Sequence, residues 1–171
     1  MRLLAAPPLI LEPLEARHAG AMFSVLSDPA IYQYENHPPS SLEWLEDRYT
    51  RLETRASADG TELWLNWVVL LDHQAIGYVQ ATVEPDGLAW IAYEFGSAYW
   101  GRGLASLATR AVIEELQDGY GVHTLLAELV AANHRSVRLL ERIGFEPAGT
   151  ELAMAHPVEP HERLMVRLLT V

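Results

Sequence analysis

The chain has 171 residues, half of them hydrophobic and a fifth charged, which is the composition of one globular domain with room for a sizeable core. Its net charge of -11, from 12 basic and 23 acidic side chains, argues against nucleic acid as a partner; it suits a cationic substrate, although acidity serves solubility equally well. The absence of cysteine excludes disulfides, thiolate metal sites and cysteine nucleophiles, and fits a reducing, cytoplasmic setting.

The first apolar run is closed by Pro7 and Pro8, too short for a signal peptide, and no window reaches the length of a membrane span, so no membrane partner is expected. Residues 9–14 read as a first strand. Residues 15–26 read as a helix with Ala19, Met22, Phe23 and Leu26 on one face, stopped by Ser27, Asp28 and Pro29. Residues 31–34 lead into the loop Asn36-His37-Pro38-Pro39. Ser40 or Ser41 then caps a second helix whose apolar face is Leu42, Leu45, Tyr49 and Leu52, and the polar run 55–60 ends it.

The texture changes next. Residues 63–71, 75–83 and 88–95 read as three strands joined by the turns Asp72-His73-Gln74 and Pro85-Asp86-Gly87, which is most simply an antiparallel meander. A helix over 102–117 carries Leu104, Leu107, Ala108, Ala111, Val112 and Leu116 at helical spacing, closed by Gly119 and Gly121. A fourth central strand covers 122–130. Asn133 caps a helix to about residue 143, with Val137, Leu140 and Ile143 inward and Gly144 as its stop. Residues 145–154 and 162–169 read as two final strands. The order β-α-α-β-β-β-α-β-α-β-β predicts one α/β domain over 1–171, with helices packed on a mixed sheet.

The stretch that carries chemistry is Tyr99-Trp100-Gly101-Arg102-Gly103-Leu104-Ala105-Ser106, between a strand and a helix. The first N–H groups of a helix have no intrahelical partner and the helix dipole is positive there. Two glycines let the main chain approach a ligand closely, so the N–H groups can grip a phosphate, with Arg102 adding positive charge. Taken alone, Gly-x-Gly is equally a turn without a ligand.

Two separated motifs resemble the GNAT superfamily of acetyl-CoA-dependent N-acetyltransferases, and within it the group that acetylates ribosomal-protein N-termini. Tyr99 to Ala105 is similar to that group's Tyr-Trp-Gly-Lys-Gly-x-Ala, with Arg102 for lysine; Trp100 departs from the superfamily's Gln/Arg at the first motif position. Asn133-His134-Arg135-Ser136 followed by Ile143-Gly144-Phe145 looks like the family's Asn-x-x-Ala/Ser and Gly-Phe. The resemblance implies a GNAT fold, a mostly antiparallel sheet of about seven strands with helices on both faces. It implies acetyl-CoA as co-substrate, with no metal, and a primary amine as acceptor, either a protein N-terminus or a small molecule.

It also implies residue roles. N–H groups of Gly101, Arg102, Gly103, Leu104, Ala105 and Ser106 would hold the CoA pyrophosphate. Phe95, Gly96 and Ser97 would pair with the pantetheine arm where this strand and the next splay apart. An N–H near Phe95 would polarise the acetyl carbonyl. Asn133 would face the CoA arm, and Ser136 would lie near the sulfur.

Attack on a thioester needs a neutral amine, and hence a base. Glu128, five residues before Asn133, stands where several N-terminal acetyltransferases carry their base; alternation with Leu126 and Val130 predicts an apolar environment for it. Glu94 ends the third central strand on the face opposite Tyr93 and Phe95. A salt bridge or a solvated strand end is the alternative for each. The family's tyrosine acid is replaced by Leu140, so Ser136 or a water becomes the proton donor. The seven histidines show no metal spacing. The five tryptophans read mainly as core, with Trp44 and Trp90 as candidates for an acceptor pocket. That pocket is expected at residues 36–41 and 154–161. A homodimer through the last strands is compatible with this reading. Two other readings stand beside it: a non-catalytic CoA-binding protein of the same fold, and a Rossmann-type domain in which Gly101, Gly103 and Ser106 mimic the dinucleotide fingerprint.

Overall fold

The computed structural model describes residues 1–34 and 37–169. Its centre is β3 (Leu63–Leu71), where Leu65, Trp67, Val68 and Val69 are all buried. A strand with alternating side chains loses every residue from water only when both faces are covered. Here Val68 packs with Leu14, Met22, Leu26, Leu45 and Tyr49 on one side, and Trp67 belongs to the larger core on the other.

Eight strands form one sheet in the order β1-β2-β3-β4-β5-β6-β8-β7. They are β1 (Leu4–Ala6), β2 (Leu9–Pro13), β3, β4 (Gln74–Val83), β5 (Leu88–Phe95), β6 (Thr124–Val130), β7 (Glu146–Pro147) and β8 (Glu162–Leu168). Every neighbouring pair is antiparallel except β5 with β6. Helices α1 (Ala19–Leu26) and α2 (Leu42–Leu52) cover one face; α3 (Leu104–Tyr120) and α4 (His134–Arg142) cover the other; α5 (Thr150–Ala155) is a short helix of six residues. The mixed, mostly antiparallel sheet and its two helical layers agree with the expected fold. They do not agree with the doubly wound parallel sheet of the Rossmann reading.

Three local expectations are corrected. The sheet has eight strands, because residues 4–6 pair with β2 in the register Leu4↔Leu11, Ala5↔Ile10 and Ala6↔Leu9. The expected strand over 145–154 shrinks to Glu146–Pro147, and α5 follows. The first helix opens with a 3-10 turn, Ala16–His18, before α1 begins. Two helix ends agree well: Ser41 caps α2 by accepting from the Trp44 N–H, and Gly121 closes α3 in the left-handed region at φ 67°.

The feature that positions a site lies between β5 and β6. Their parallel register holds only for Leu88↔Thr124, Ala89↔Leu125 and Trp90↔Leu126. Beyond it β6 stays paired with β8 through Val130↔Glu162, while β5 stays paired with β4 through Gly77↔Phe95. The sheet therefore opens along the second half of β5. Gly77 makes the β4 side of this opening fit, since a Cβ there would stand 2.3 Å from the Glu94 carbonyl oxygen and 2.8 Å from the Phe95 ring.

Candidate active site

A 3-10 turn, Ser97–Tyr99, leads from β5 into the glycine loop. Gly101 and Gly103 have φ of 73° and 77°, a region costly for other residues, and Gly103 is the N-cap of α3. A Cβ at either position would meet nothing within 4 Å, so the backbone angle, not crowding, demands glycine. Gly103 brings no side chain to cap the helix, so the first-turn N–H groups have no intrahelical partner.

Facing them is α4, whose Arg135, Arg138 and Arg142 share one face by their spacing and line a cavity of 210 Å³ with Gly101, Gly103 and Ser106. The Arg135 guanidinium stacks on Trp100, 3.4 Å from the ring centroid. Arg102 is exposed and lies 5.8 Å from the Tyr99 ring centroid. Unused N–H donors opposite three guanidiniums fit a diphosphate, and hence the anionic part of CoA. Trp100, which breaks the family's motif, also donates from its indole nitrogen to the Phe95 carbonyl at 2.8 Å and so ties the loop to the strand end.

Phe95, Gly96 and Ser97 lie where the sheet opens, but their backbone groups are unequal. The Gly96 N–H donates to the Ile76 carbonyl. The Ser97 N–H donates to the Asp28 carboxylate at 2.9 Å; the Ser97 hydroxyl first, then this N–H and that of Ala30, hold the Asp28 pKa below the usual carboxylate range. By the antiparallel alternation, the N–H groups of Phe95 and Tyr93 point the other way, into the opening left by β6.

The opening holds a cavity of 140 Å³ lined by Tyr93, Glu94, Glu128, Asn133, Ser136 and Leu140 among others. Asn133 caps α4 by accepting from the Ser136 N–H at 3.2 Å, which sets Ser136 at the helix mouth. The Ser136 hydroxyl lies 2.7 Å from the Tyr93 hydroxyl. Leu140 is 1 % exposed and belongs to the core.

The two glutamates part company. Glu128 is exposed, contrary to the apolar environment its alternation predicted, because β5 no longer covers β6 at that level. Its cross-strand neighbour Glu162 has a lowered pKa, first through the Glu159 N–H and then through Glu128. Glu94 is half-buried and lines both this cavity and a larger one on the other face of the sheet.

That larger cavity has a volume of 290 Å³, with Glu94, Tyr32, Tyr49, Tyr78, Trp44 and Arg48 in its wall. The phenols of Tyr32, Tyr49 and Tyr78 are pushed well above their ordinary pKa, first by burial and then by the charge of Glu94, so they remain hydroxyl donors. Trp44, 42 % exposed, is wall and not core, and of the five tryptophans only Trp67 is fully buried. Trp90 packs edge-on against His156, with ring centroids 5.4 Å apart. Residues 154–161 line none of these cavities, whereas His37, Pro39 and residues of α2 line the larger one; Asn36 lies outside the described residues. Among the described residues no group of three or more His, Asp or Glu could hold a metal, and no helix is long and apolar enough to cross a membrane.

Tyr93, the α4 arginines and the tyrosine wall were not singled out in the sequence. Only the arginines left a signal there, their spacing of three and four residues along one helix. The tyrosines come from three separate elements.

Residues 8–146 match the family described as the acetyltransferase (GNAT) domain. An N-acetyltransferase of Bacillus licheniformis named p20, described as uncharacterized, is 24% identical over 151 residues, covering 87% of this chain and 85% of that protein. The structure of RimL, the ribosomal L7/L12 alpha-N-protein acetyltransferase, in complex with coenzyme A superposes with a TM-score of 0.82 at 16% identity, covering 98% of each chain. Aminoglycoside acetyltransferase AAC(6')-Ib in complex with coenzyme A superposes with a TM-score of 0.74 at 20% identity, covering 94% of each. The cradle for a diphosphate, the opened sheet beside it and the match over most of the chain converge: the protein belongs to the GNAT acetyltransferase family and is an N-acetyltransferase that uses acetyl-CoA.

Proposed function

We propose that the protein transfers the acetyl group to a primary amine by direct attack, with the amine entering from the α1–α2 side and acetyl-CoA from the α3–α4 side. The observation that carries this reading is the chain of adjoining cavities. Glu94 lines both the acceptor cavity and the central one; Tyr93, Asn133 and Ser136 line the central one and the next; Phe95, Trp100 and Arg135 line that one and the cradle.

Gly101, Arg102, Gly103, Leu104, Ala105 and Ser106, with Arg135, Arg138 and Arg142, hold the phosphates, and Asn133 borders the arm. Bound acetyl-CoA supplies an activated acetyl thioester. The Phe95 N–H points into the gap, where a carbonyl oxygen finds a donor. Glu94 takes the proton from the incoming ammonium, because among the described carboxylates it is the one that lines both the amine's cavity and the gap, beside Tyr78 and Gln80. The Ser136 hydroxyl, backed by that of Tyr93, supplies a proton on the sulfur side. Glu128, exposed and absent from the wall of the acceptor cavity, has the weaker claim to the base. A cytoplasmic setting agrees with the lack of cysteine.

Calorimetric titration with acetyl-CoA, with NAD as control, followed by an amine screen read by free thiol release, tests this. Acetyl-CoA binding with turnover supports transfer. Binding without turnover over a broad panel would instead make the protein a CoA-binding member of the fold.

A further inference from the structure

The acceptor cavity is polarised along its length. Glu94 is the only carboxylate among the described residues lining it, and Arg48 the only guanidinium. Glu94 stands at the inner end, where the cavity meets the reaction gap. Arg48 stands on the exposed side of α2, its guanidinium 5.6 Å from the Trp44 ring centroid, and forms no ion pair with any described residue. The wall also carries Tyr32, Leu14, Leu45 and Tyr49, and the Tyr49 phenol feels the charges of both Arg48 and Glu94.

The cavity also holds an unused polar group. Tyr49 is 3 % exposed, and its hydroxyl has no hydrogen-bond partner among the described residues. A buried hydroxyl left without a partner costs stability, so nearly all such groups are satisfied. This one lines a space that a bound molecule would fill.

Resting on the acetyl-transfer reading above, we infer that the acceptor is a compact amino-acid-like amine, with its ammonium at Glu94, an apolar body along the tyrosines and a carboxylate at Arg48. Size agrees, since the cavity lies near the lower end of ligand pockets, about 300–1,000 Å³. Charge excludes the polycations. A polyamine or an aminoglycoside would bring a second positive charge to Arg48, where no described carboxylate of the cavity receives it.

The test is a matched trio of one length: aminohexanoate, hexylamine and diaminohexane, each assayed with acetyl-CoA by thiol release. Aminohexanoate is expected to exceed hexylamine in kcat/KM by about fivefold, the scale of one exposed ion pair, with diaminohexane below both. Arg48→Gln, an exposed substitution that leaves the core intact, is expected to bring the ratio of aminohexanoate to hexylamine close to one. Equal rates for the trio, a preference for diaminohexane, or a preference that survives Arg48→Gln overturns the inference. Calorimetry separates the two levels. If acetyl-CoA does not bind, the transfer reading falls; if it binds and none of the trio is acetylated, the acceptor class falls and the transfer reading stands.

Discussion

Tyr93 and Ser136 meet hydroxyl to hydroxyl at 2.7 Å across the gap between β5 and α4. One comes from a strand and the other from the first turn of a helix capped by Asn133. The pair places a phenol beside the gap although Leu140, at the family's tyrosine position, is buried in the core. In the proposed mechanism, proton donation is thus shared by two residues.

Tyr93→Phe and Ser136→Ala are each expected to lower kcat by about 10²-fold, the scale of one general acid, while acetyl-CoA affinity stays within about twofold. The double variant should be no slower than the worse single one, since groups that act as a unit are not additive. Thiol-release kinetics beside calorimetry reads this, and fully additive losses would assign the two hydroxyls to separate tasks.

Glu94→Gln is expected to cost about 10²-fold in kcat and Glu128→Gln no more than about threefold, because only Glu94 borders the acceptor cavity. The reverse order in the same assay would move the base to Glu128.

Gly103→Val forces a branched side chain into the left-handed region and a Cβ into the cradle. Acetyl-CoA affinity should fall by at least about tenfold, with a strain cost of about 1–2 kcal/mol visible in Tm. Arg138→Gln with Arg142→Gln should also weaken acetyl-CoA, and this loss should shrink as salt screens the phosphates. Titrations at low and high ionic strength separate the two effects.

Asp28 ties the end of β5 to the segment after α1, and its pKa is lowered in the folded protein by Ser97 and Ala30. A lowered folded pKa gives stability that is present above the unfolded value, about 3.9, and is lost as pH falls through the folded value. Asp28→Ala should therefore lower Tm at neutral pH and flatten its fall on the acid side. Thermal melts from neutral to strongly acidic pH check this, and unchanged curvature would show that the tie carries no linkage.

Tyr49→Phe removes the hydroxyl that has no partner among the described residues. The protein without acceptor should gain up to about 1 kcal/mol of stability, while the acceptor KM rises several-fold. Melts and kinetics on one preparation decide it; a loss of stability would mean that the hydroxyl is satisfied by water.

The periodic elements were legible because their burial is regular. The face Leu104, Ala108, Val112 and Leu116 needs only the helical repeat to be seen, and all four residues are buried. Residues 4–6 and 145–154 were misread for a different reason. Three residues of β1 are a strand only because β2 pairs with them, and residues 150–155 turn helical once Pro147 leaves the sheet edge. Glu128 illustrates the same limit. Alternation gave its face correctly, but the cover over that face ends at Trp90↔Leu126.

By itself the sequence determined the long elements and their order from β2 to α4, the glycine loop at a helix mouth, the Asn133 cap and thereby the family, since each is written in residues close together along the chain. Tertiary structure alone decided which glutamate lines both cavities, which hydroxyl stands behind Ser136, and what charge shares the larger cavity with Glu94. Tyr93 and Ser136 are 43 positions apart, and Glu94 and Arg48 lie on different elements, so no local pattern encodes their meeting. They come together because β6 follows β8 and leaves β5, and that parting follows from the pairing of whole strands.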